Sequence, residues 1–324
     1  MRHKCYLGPV VVLLILGLIA LFKGREVFGA SFPEKPIKII SNFPAGSAVD
    51  TEARRIAPHL QQYLGVSVTV EDVPGADGKI GLTKVWRAKP DGYTIILHTT
   101  TMSNIVECLD NPEYRIPDFS HIFCHSRTNM VLVVNSENWK TLDEFVKAAR
   151  ERPLSAGLSG RGASYLNGLL MADGFGIKVK WVPFAGAPES LATLAGKHID
   201  FVLAGATQAL PLVRAGKLRP LLVLANEKDI IFPNIPLPKD LGHTFPAIPV
   251  LRGIDGPPKM EAAVVKVLES ALAKTVKEPD FLAWAEKGMI DIVSLNQGEY
   301  REAIRKERKE IEKYKDILKA ADKQ

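Results

Sequence analysis

An α/β protein is what this sequence predicts. Three observations point there: short β-branched runs alternate with helical stretches beyond residue 30, the order βαβαβ is completed within about seventy residues, and small glycine-bearing loops join strands to helices. In doubly wound units of this kind, ligands sit at the carboxyl ends of the strands.

In chain order, Ile37–Ser41 reads as the first strand and Thr51–Leu64 as the first helix. The loop between them runs through Phe43-Pro44-Ala45-Gly46-Ser47-Ala48-Val49-Asp50. Ser47 to Asp50 has the spacing of a capping box, in which Ser47 accepts from the Asp50 amide and Asp50 reaches back. A strand at Val66–Asp72, a helix around Ile80–Ala88, the turn Lys89-Pro90-Asp91-Gly92 and a strand at Tyr93–His98 complete the unit. A second unit begins with a strand at Val131–Asn135 and a helix capped at Thr141, where Thr-Leu-Asp-Glu is again a capping box. A strand near Leu154–Leu158, the loop Ser159-Gly160-Arg161-Gly162-Ala163-Ser164 and a helix at Tyr165–Gly174 follow. Further strands are expected at Val179–Val182, Phe201–Ala204 and Leu218–Leu224, then proline-rich segments at Phe232–Pro238 and Phe245–Pro258. The C-terminal part reads as helical over Met260–Val276 and Glu299–Ala321, the latter with Ile304, Ile311, Tyr314 and Leu318 on one face.

The N-terminus is set apart from the fold. Arg2, His3 and Lys4 precede an apolar run from Leu7 to Phe22, and the small-residue site Val27-Phe28-Gly29-Ala30 follows, as in a secretory signal peptide cleaved after Gly29 or Ala30. The competing reading is an uncleaved anchor, although the run is short for a full span. Cys5 lies before the apolar run and so cannot carry a lipoprotein's lipid. The net charge of +6 falls by about half with the leader, and the basic residues are scattered or paired with Glu, so nucleic acid is not expected as a partner. Cys108 and Cys124 remain, and in an exported chain a disulfide is expected ahead of two free thiols. A metal site is set behind both: His121 and His125 flank Cys124, but zinc needs a tighter ligand pattern.

Catalytic templates fail: the glycines at 75 and 78 are too close for a phosphate loop, and key residues are wrong. Ile80 stands where a phosphate loop needs Ser or Thr, Tyr165 where a dinucleotide fingerprint needs Gly, and Arg161 where a nucleophile elbow needs its last Gly. What remains is a pair of small-residue loops at helix starts. Free amides at a helix N-terminus, together with its positive dipole end, suit an anion, and the two oxygens of a carboxylate accept about four hydrogen bonds. Alone, the first loop reads as a capped helix start; a second loop of the same kind lets each hold one end of a small acid.

The motifs, taken in order, resemble those of the extracytoplasmic solute-binding proteins of tripartite tricarboxylate transporters, the Bug family. Phe32-Pro33-Glu34-Lys35-Pro36-Ile37, Phe43-Pro44-Ala45-Gly46 to Asp50 and Ala53-Arg54 match the family's opening pattern. Glu71-Asp72-Val73-Pro74-Gly75-Ala76-Asp77-Gly78-Lys79-Ile80-Gly81 and Pro90 to Thr94 match the next two. Asp118-Phe119, Val182-Pro183-Phe184 with Gly186, Ile199-Asp200-Phe201 and Ala215 to Arg219 follow in register.

The resemblance implies a two-lobed, type II periplasmic-binding-protein-like fold, each lobe a mixed sheet flanked by helices, with chain crossings near Val131 and Pro249. Lobe 1 would hold residues 31–130 and 249–324, lobe 2 residues 131–248. It implies a periplasmic protein, monomeric and without cofactor or catalytic step, that captures a small carboxylate in the interlobe cleft and delivers it to the transporter's membrane subunits. A ligand sensor docking on a membrane histidine kinase is the alternative. The implied ligand-binding residues are Phe43, Pro44, Ala45, Gly46, Ser47, Ala48 and Asp50 in one loop, and Ser159, Arg161, Gly162, Ala163, Ser164 and Tyr165 in the other, with Phe184 and Gly186. Asp50 stands where members that bind amino-bearing ligands use an Asp. Ser47 replaces a usual Gly, Tyr165 stands where the family has His, and Pro58 is expected to kink the first helix. Arg161 either pairs with a ligand carboxylate or is a solvated loop residue.

Overall fold

The computed structural model describes residues 32–159, 162–184 and 186–321. The expected leader and Arg161 lie outside the described residues. Among those described, no helix is long and apolar enough to cross a membrane.

Two mixed sheets organise the chain. The first has six strands: β1 (Ile37–Ser41), β2 (Val68–Asp72), β3 (Thr94–Thr99), β4 (Ser120–Thr128), β10 (Val250–Gly256) and β11 (Asp291–Leu295), in the order β11-β4-β10-β3-β1-β2. The second has β5 (Met130–Asn135), β6 (Leu154–Ser159), β7 (Val179–Phe184), β8 (Phe201–Gly205) and β9 (Leu218–Leu224), in the order β7-β6-β8-β5-β9. β1 runs parallel to β2 and β3, and β6 parallel to β7 and β8; β10 and β5 are the antiparallel members inserted into each. Only Asn129 separates β4 of the first sheet from β5 of the second, and the chain returns over residues 225–249.

Helices cover both faces of each sheet because the strands are apolar on both faces. In β5, Met130, Leu132 and Val134 pack with α4 (Leu142–Glu151) and α5 (Ala163–Phe175), while Val131 and Val133 pack with α6 (Ala187–Ala195) and α7 (Ala206–Arg214). The first sheet packs α1 (Ala48–Leu64) and α8 (Ala262–Thr275) on one face, and α2 (Lys79–Trp86) and α10 (Gln297–Lys313) on the other. A further apolar cluster joins the two halves. Ile105 of α3 (Thr100–Asp110), Leu166 and Leu170 of α5, Ile311 of α10 and Leu318 of α11 (Lys315–Ala321) meet in it, and Tyr314 donates to Asp173 at 2.7 Å. The remaining helix, α9 (Pro279–Gly288), lies against α1 through the Arg55–Asp280 pair at 2.7 Å.

Local signals set several ends. α1 runs on through Pro58 and stops at Gly65, which takes the left-handed conformation (φ 70°) and bonds back to Gln61. At α4, the Thr141 hydroxyl accepts from the Glu144 amide at 3.2 Å, and Glu144 reaches back to the Lys140 amide at 2.7 Å. Thr141→Ala is therefore expected to cost about 1 kcal/mol of stability with the fold intact, as for other N-caps. A urea titration checks this, and an unchanged midpoint would remove the cap from the account.

The disulfide expected between Cys108 and Cys124 is absent; both thiols are free. The two side chains belong to different clusters: Cys108 on α3 faces Glu312 (3.3 Å) beside the α5 contact, whereas Cys124 on β4 packs with Tyr300 and Ile304. Burial pushes the Cys108 thiol up to about 11 and that of Cys124 higher still. The histidines around Cys124 each meet a carboxylate: His121 meets Asp255 (3.1 Å) and His125 meets Glu52 (2.6 Å).

Candidate functional site

The first loop leaves the carboxyl end of β1. Its first residue, Asn42, is buried and donates to the Gly78 carbonyl at 3.4 Å. A Cβ on Gly78 would fall 2.2 Å from the Asn42 amide nitrogen, and one on Gly81 2.7 Å from the Asn42 Cβ. The glycine run at 75–81 is thus the seat of the first loop.

Phe43 packs its half-buried ring on the α1–α8 cluster, leaving Pro44, Ala45, Gly46 and Ala48 exposed. Ser47 caps α1, its hydroxyl accepting from the Asp50 amide at 3.2 Å. Asp50 is buried and reaches one residue beyond the cap, accepting from the Gly46 amide at 2.8 Å. Its other oxygen lies 2.5 Å from Arg54 Nε, and Arg54 continues to Asp72 at 2.7 Å. Burial alone would raise the Asp50 carboxyl; the Gly46 amide and the Arg54 guanidinium outweigh it and hold it below the usual range. Of the amides at residues 45–49, expected to be free for an anion, two are occupied: that of Gly46 by Asp50, and that of Ser47, which donates to the Pro44 carbonyl. The first amides of α1 retain no intrahelical acceptor, as at any helix start. Asp50→Ala releases both Gly46 and Arg54. A stability loss of about 1–2 kcal/mol is expected from the lost charge-assisted bonds, read by denaturant titration; no loss would show that the loop holds without this brace.

A further strand–helix junction, which the sequence reading missed, leaves the strand next to β1. β3 runs straight into α3 at Thr99, and Thr100, Thr101, Ser103 and Asn104 are all buried. Below that helix start, His98 sits between Ser103 (2.8 Å) and Asp255 (2.8 Å), and Glu307 of α10 accepts from Asn104 at 3.2 Å. Burial would raise Asp255, but His121 and His98 hold it at about 2; burial pushes Glu307 up to about 7 against the pull of Thr101, Thr100 and Asn104. The uninterrupted His98-Thr99-Thr100-Thr101 run at the strand end was the available signal.

The second loop follows β6. Ser159 is the last residue of that strand and pairs in register with Phe184, the last of β7, so their two loops start side by side. Gly162 is buried and caps α5, which begins at Ala163, two residues earlier than expected. A Cβ on Gly162 would stand 3.3 Å from the Met102 methyl, which places this loop of the second half against the first turn of α3. Ala163 packs on the second-sheet cluster and Ser164 is half-exposed. Tyr165 is 4% exposed, edge-on to Trp181 at 5.1 Å, and burial raises its hydroxyl. Phe184 packs under α6, and Gly186 begins that helix with an extended backbone (φ −179°).

The architecture defines the class: a two-lobed, type II periplasmic-binding-protein-like fold with glycine-bearing loops at the strand ends of both sheets. The family model described as "Tripartite tricarboxylate transporter family receptor" matches residues 52–322, and the chain belongs to that family. A UPF0065 protein of Bordetella pertussis is 28% identical over 289 residues, 87% of this chain and 90% of its own, and BugT of the same species is 27% identical over 247 residues, 72% of this chain and 74% of its own. Among solved structures, a TctC solute-binding protein from Polaromonas superposes with a TM-score of 0.79 at 25% identity, over 87% of this chain and 100% of that one. MatC of Rhodopseudomonas palustris, solved with bound malate, shares the fold with a TM-score of 0.67 at 22% identity, over 89% of this chain and 100% of that one.

Proposed function

We propose that this protein is an extracytoplasmic solute receptor that captures a small organic acid between its two halves and delivers it to a tripartite tricarboxylate-type membrane permease. The observation that carries this reading is the placement of helix starts: the Gly162 end of α5 lies on Met102 of α3, and α3 leaves β3, the parallel neighbour of the strand β1 that leads to the Ser47 end of α1, in a chain of a receptor family. Three sets of main-chain amides then converge on one region, where they replace the water shell of a carboxylate. Malate in MatC is an acid of the class proposed here. The protein acts as an exported monomer, residues 31–130 with 249–324 forming one lobe and 131–248 the other, and the lobes close about the two crossings. Its role ends with binding and hand-over, without a catalytic step.

A thermal-shift screen of the protein against mono-, di- and tricarboxylates and aromatic acids tests the reading. A ligand that binds only the native state raises the melting temperature, by mass action. At least one acid is expected to do so, and Ser164→Trp, which fills the second loop, to abolish that shift while keeping the unliganded melting temperature. A screen in which no acid moves the transition would defeat the proposal.

A further inference from the structure

We propose that Arg252 is the residue that selects a diacid, taking one of its carboxylates on the floor of the cleft; this rests on the reading of the protein as a carboxylate receptor. Arg252 lies near the start of β10, opposite Thr99 at the end of β3 on one side and Ser126 of β4 on the other. It therefore sits at the edge of the first sheet from which the first loop and α3 emerge. Glu52, on the second turn of α1, approaches its Nη1 at 3.3 Å. Its Nη2 contacts Thr128, one residue before the crossing into the second sheet, and the Thr128 methyl faces the start of α7, 3.2 Å from where a Cβ on Gly205 would stand. The guanidinium thus occupies the point where the first loop's helix, the α3 start and the lobe crossing come together.

Its coordination is incomplete. A guanidinium carries five N–H donors, and its bonds to carboxylates ordinarily measure about 2.7–2.9 Å. Arg252 has no carboxylate at that distance: Glu52 stands at 3.3 Å and the Ser126 hydroxyl at 3.4 Å, the Thr128 hydroxyl makes an ordinary contact at 3.1 Å, and its shielded Nε has no acceptor. Glu52 is not waiting for it. That carboxylate is already closely held by His125 (2.6 Å) and Ser126 (2.7 Å). Other arginines of the described residues that meet a carboxylate approach it more closely: Arg308 grips Glu107 at 2.6 and 3.0 Å, Arg127 holds Asp291 at 2.6 Å, and Arg152 reaches Asp200 at 3.0 Å. The Nε–Nη2 edge of Arg252 is the planar fork that matches a carboxylate side-on, and it carries only the Thr128 hydroxyl. A carboxylate there completes the fork, and the distal carboxylate of the same acid reaches the amides around Gly162. An acid with a single carboxylate satisfies one end only.

Titration calorimetry with succinate, glutarate and adipate, each against the monoacid of equal chain length, tests the assignment. Four proteins are compared: wild type, Arg252→Lys, Arg252→Gln, and the double variant Glu52→Gln/Arg252→Gln, which replaces the buried charged pair by two neutral amides so that folding does not decide the outcome. Wild type is expected to prefer at least one diacid by about tenfold or more, the worth of a charge-assisted hydrogen bond pair. In Arg252→Lys and in the double variant that preference is expected to collapse toward unity, with the unliganded melting temperature of the lysine variant kept. A diacid preference retained in both overturns the role of Arg252 and leaves the receptor reading standing. A wild type that binds neither diacid nor monoacid overturns both.

Discussion

Glu52→Ala is expected to lower the unfolding free energy by about 3–5 kcal/mol, the cost of removing one partner from a buried ionic cluster. Glu52 is 2% exposed and accepts from His125 and Ser126 at 2.6 and 2.7 Å, with Arg252 at 3.3 Å. Burial would raise its carboxyl, yet Arg252, His125 and Ser126 together hold it below the usual range, so it is the ionised form that the fold stabilises. Alanine strands a guanidinium and an imidazole beside a cavity. The cluster ties α1 to both β4 and β10, so the loss is expected to unfold the first sheet cooperatively, visible as a lowered urea midpoint. Glu52→Gln keeps the shape and part of the bonding and is expected to lose less. A cost below about 1 kcal/mol for the alanine variant would show that the cluster contributes little beyond its packing.

Stability is also expected to depend on pH through Glu307, and in an unusual direction for a carboxylate. Its carboxyl rises from 4.5 in the unfolded chain to about 7 in the fold, so the fold favours the protonated form. That contribution is fully present below pH 4.5 and disappears as pH rises through 7; the interval corresponds to roughly 3 kcal/mol. Asp255 behaves oppositely. Its carboxyl is held at about 2 against 3.8 when unfolded, so its contribution is present above pH 4 and is lost as pH falls toward 2. The melting temperature should therefore peak in mildly acidic solution and decline toward pH 8. Glu307→Gln, which keeps a neutral side chain beside Asn104, Thr100 and Thr101, is expected to abolish the decline between pH 5 and 8 and to be the more stable protein at pH 8. A wild-type melting temperature that rises over that interval would contradict the burial of an uncharged Glu307.

The parts of the fold legible in the sequence were those whose local chemistry agrees with their tertiary role. β1, β5 and β9 were visible as strands, and Ser47 and Thr141 mark helix starts by side-chain chemistry that needs no distant partner. β4 and β10 were missed for the converse reason. Ser-His-Ile-Phe-Cys-His-Ser-Arg-Thr and Val-Leu-Arg-Gly-Ile-Asp-Gly read as polar or turn-like until Asp255 meets His98 and His121, and Arg252 and His125 meet Glu52. A charge that is neutralised by a residue between 73 and 200 positions away leaves no local periodicity. The same blindness produced the disulfide expectation, because sequence spacing between Cys108 and Cys124 carries no information about which cluster each side chain enters. At the site, the loops were visible as small residues before helices. The partner that the second loop leans on, Met102 at the start of α3, was not, since a methionine in a threonine-rich run carries no marker of its own.

The proposed acid site lies between the two halves, at the helix starts of α1, α3 and α5. A crystal structure of the protein grown with the acid that gives the largest thermal shift tests it most directly. Carboxylate oxygens are expected within hydrogen-bonding distance of main-chain amides in residues 43–49 and 159–165, with the ligand enclosed by both loops. Well-ordered ligand density elsewhere on the molecule, with both loops left empty at saturating acid, would contradict it.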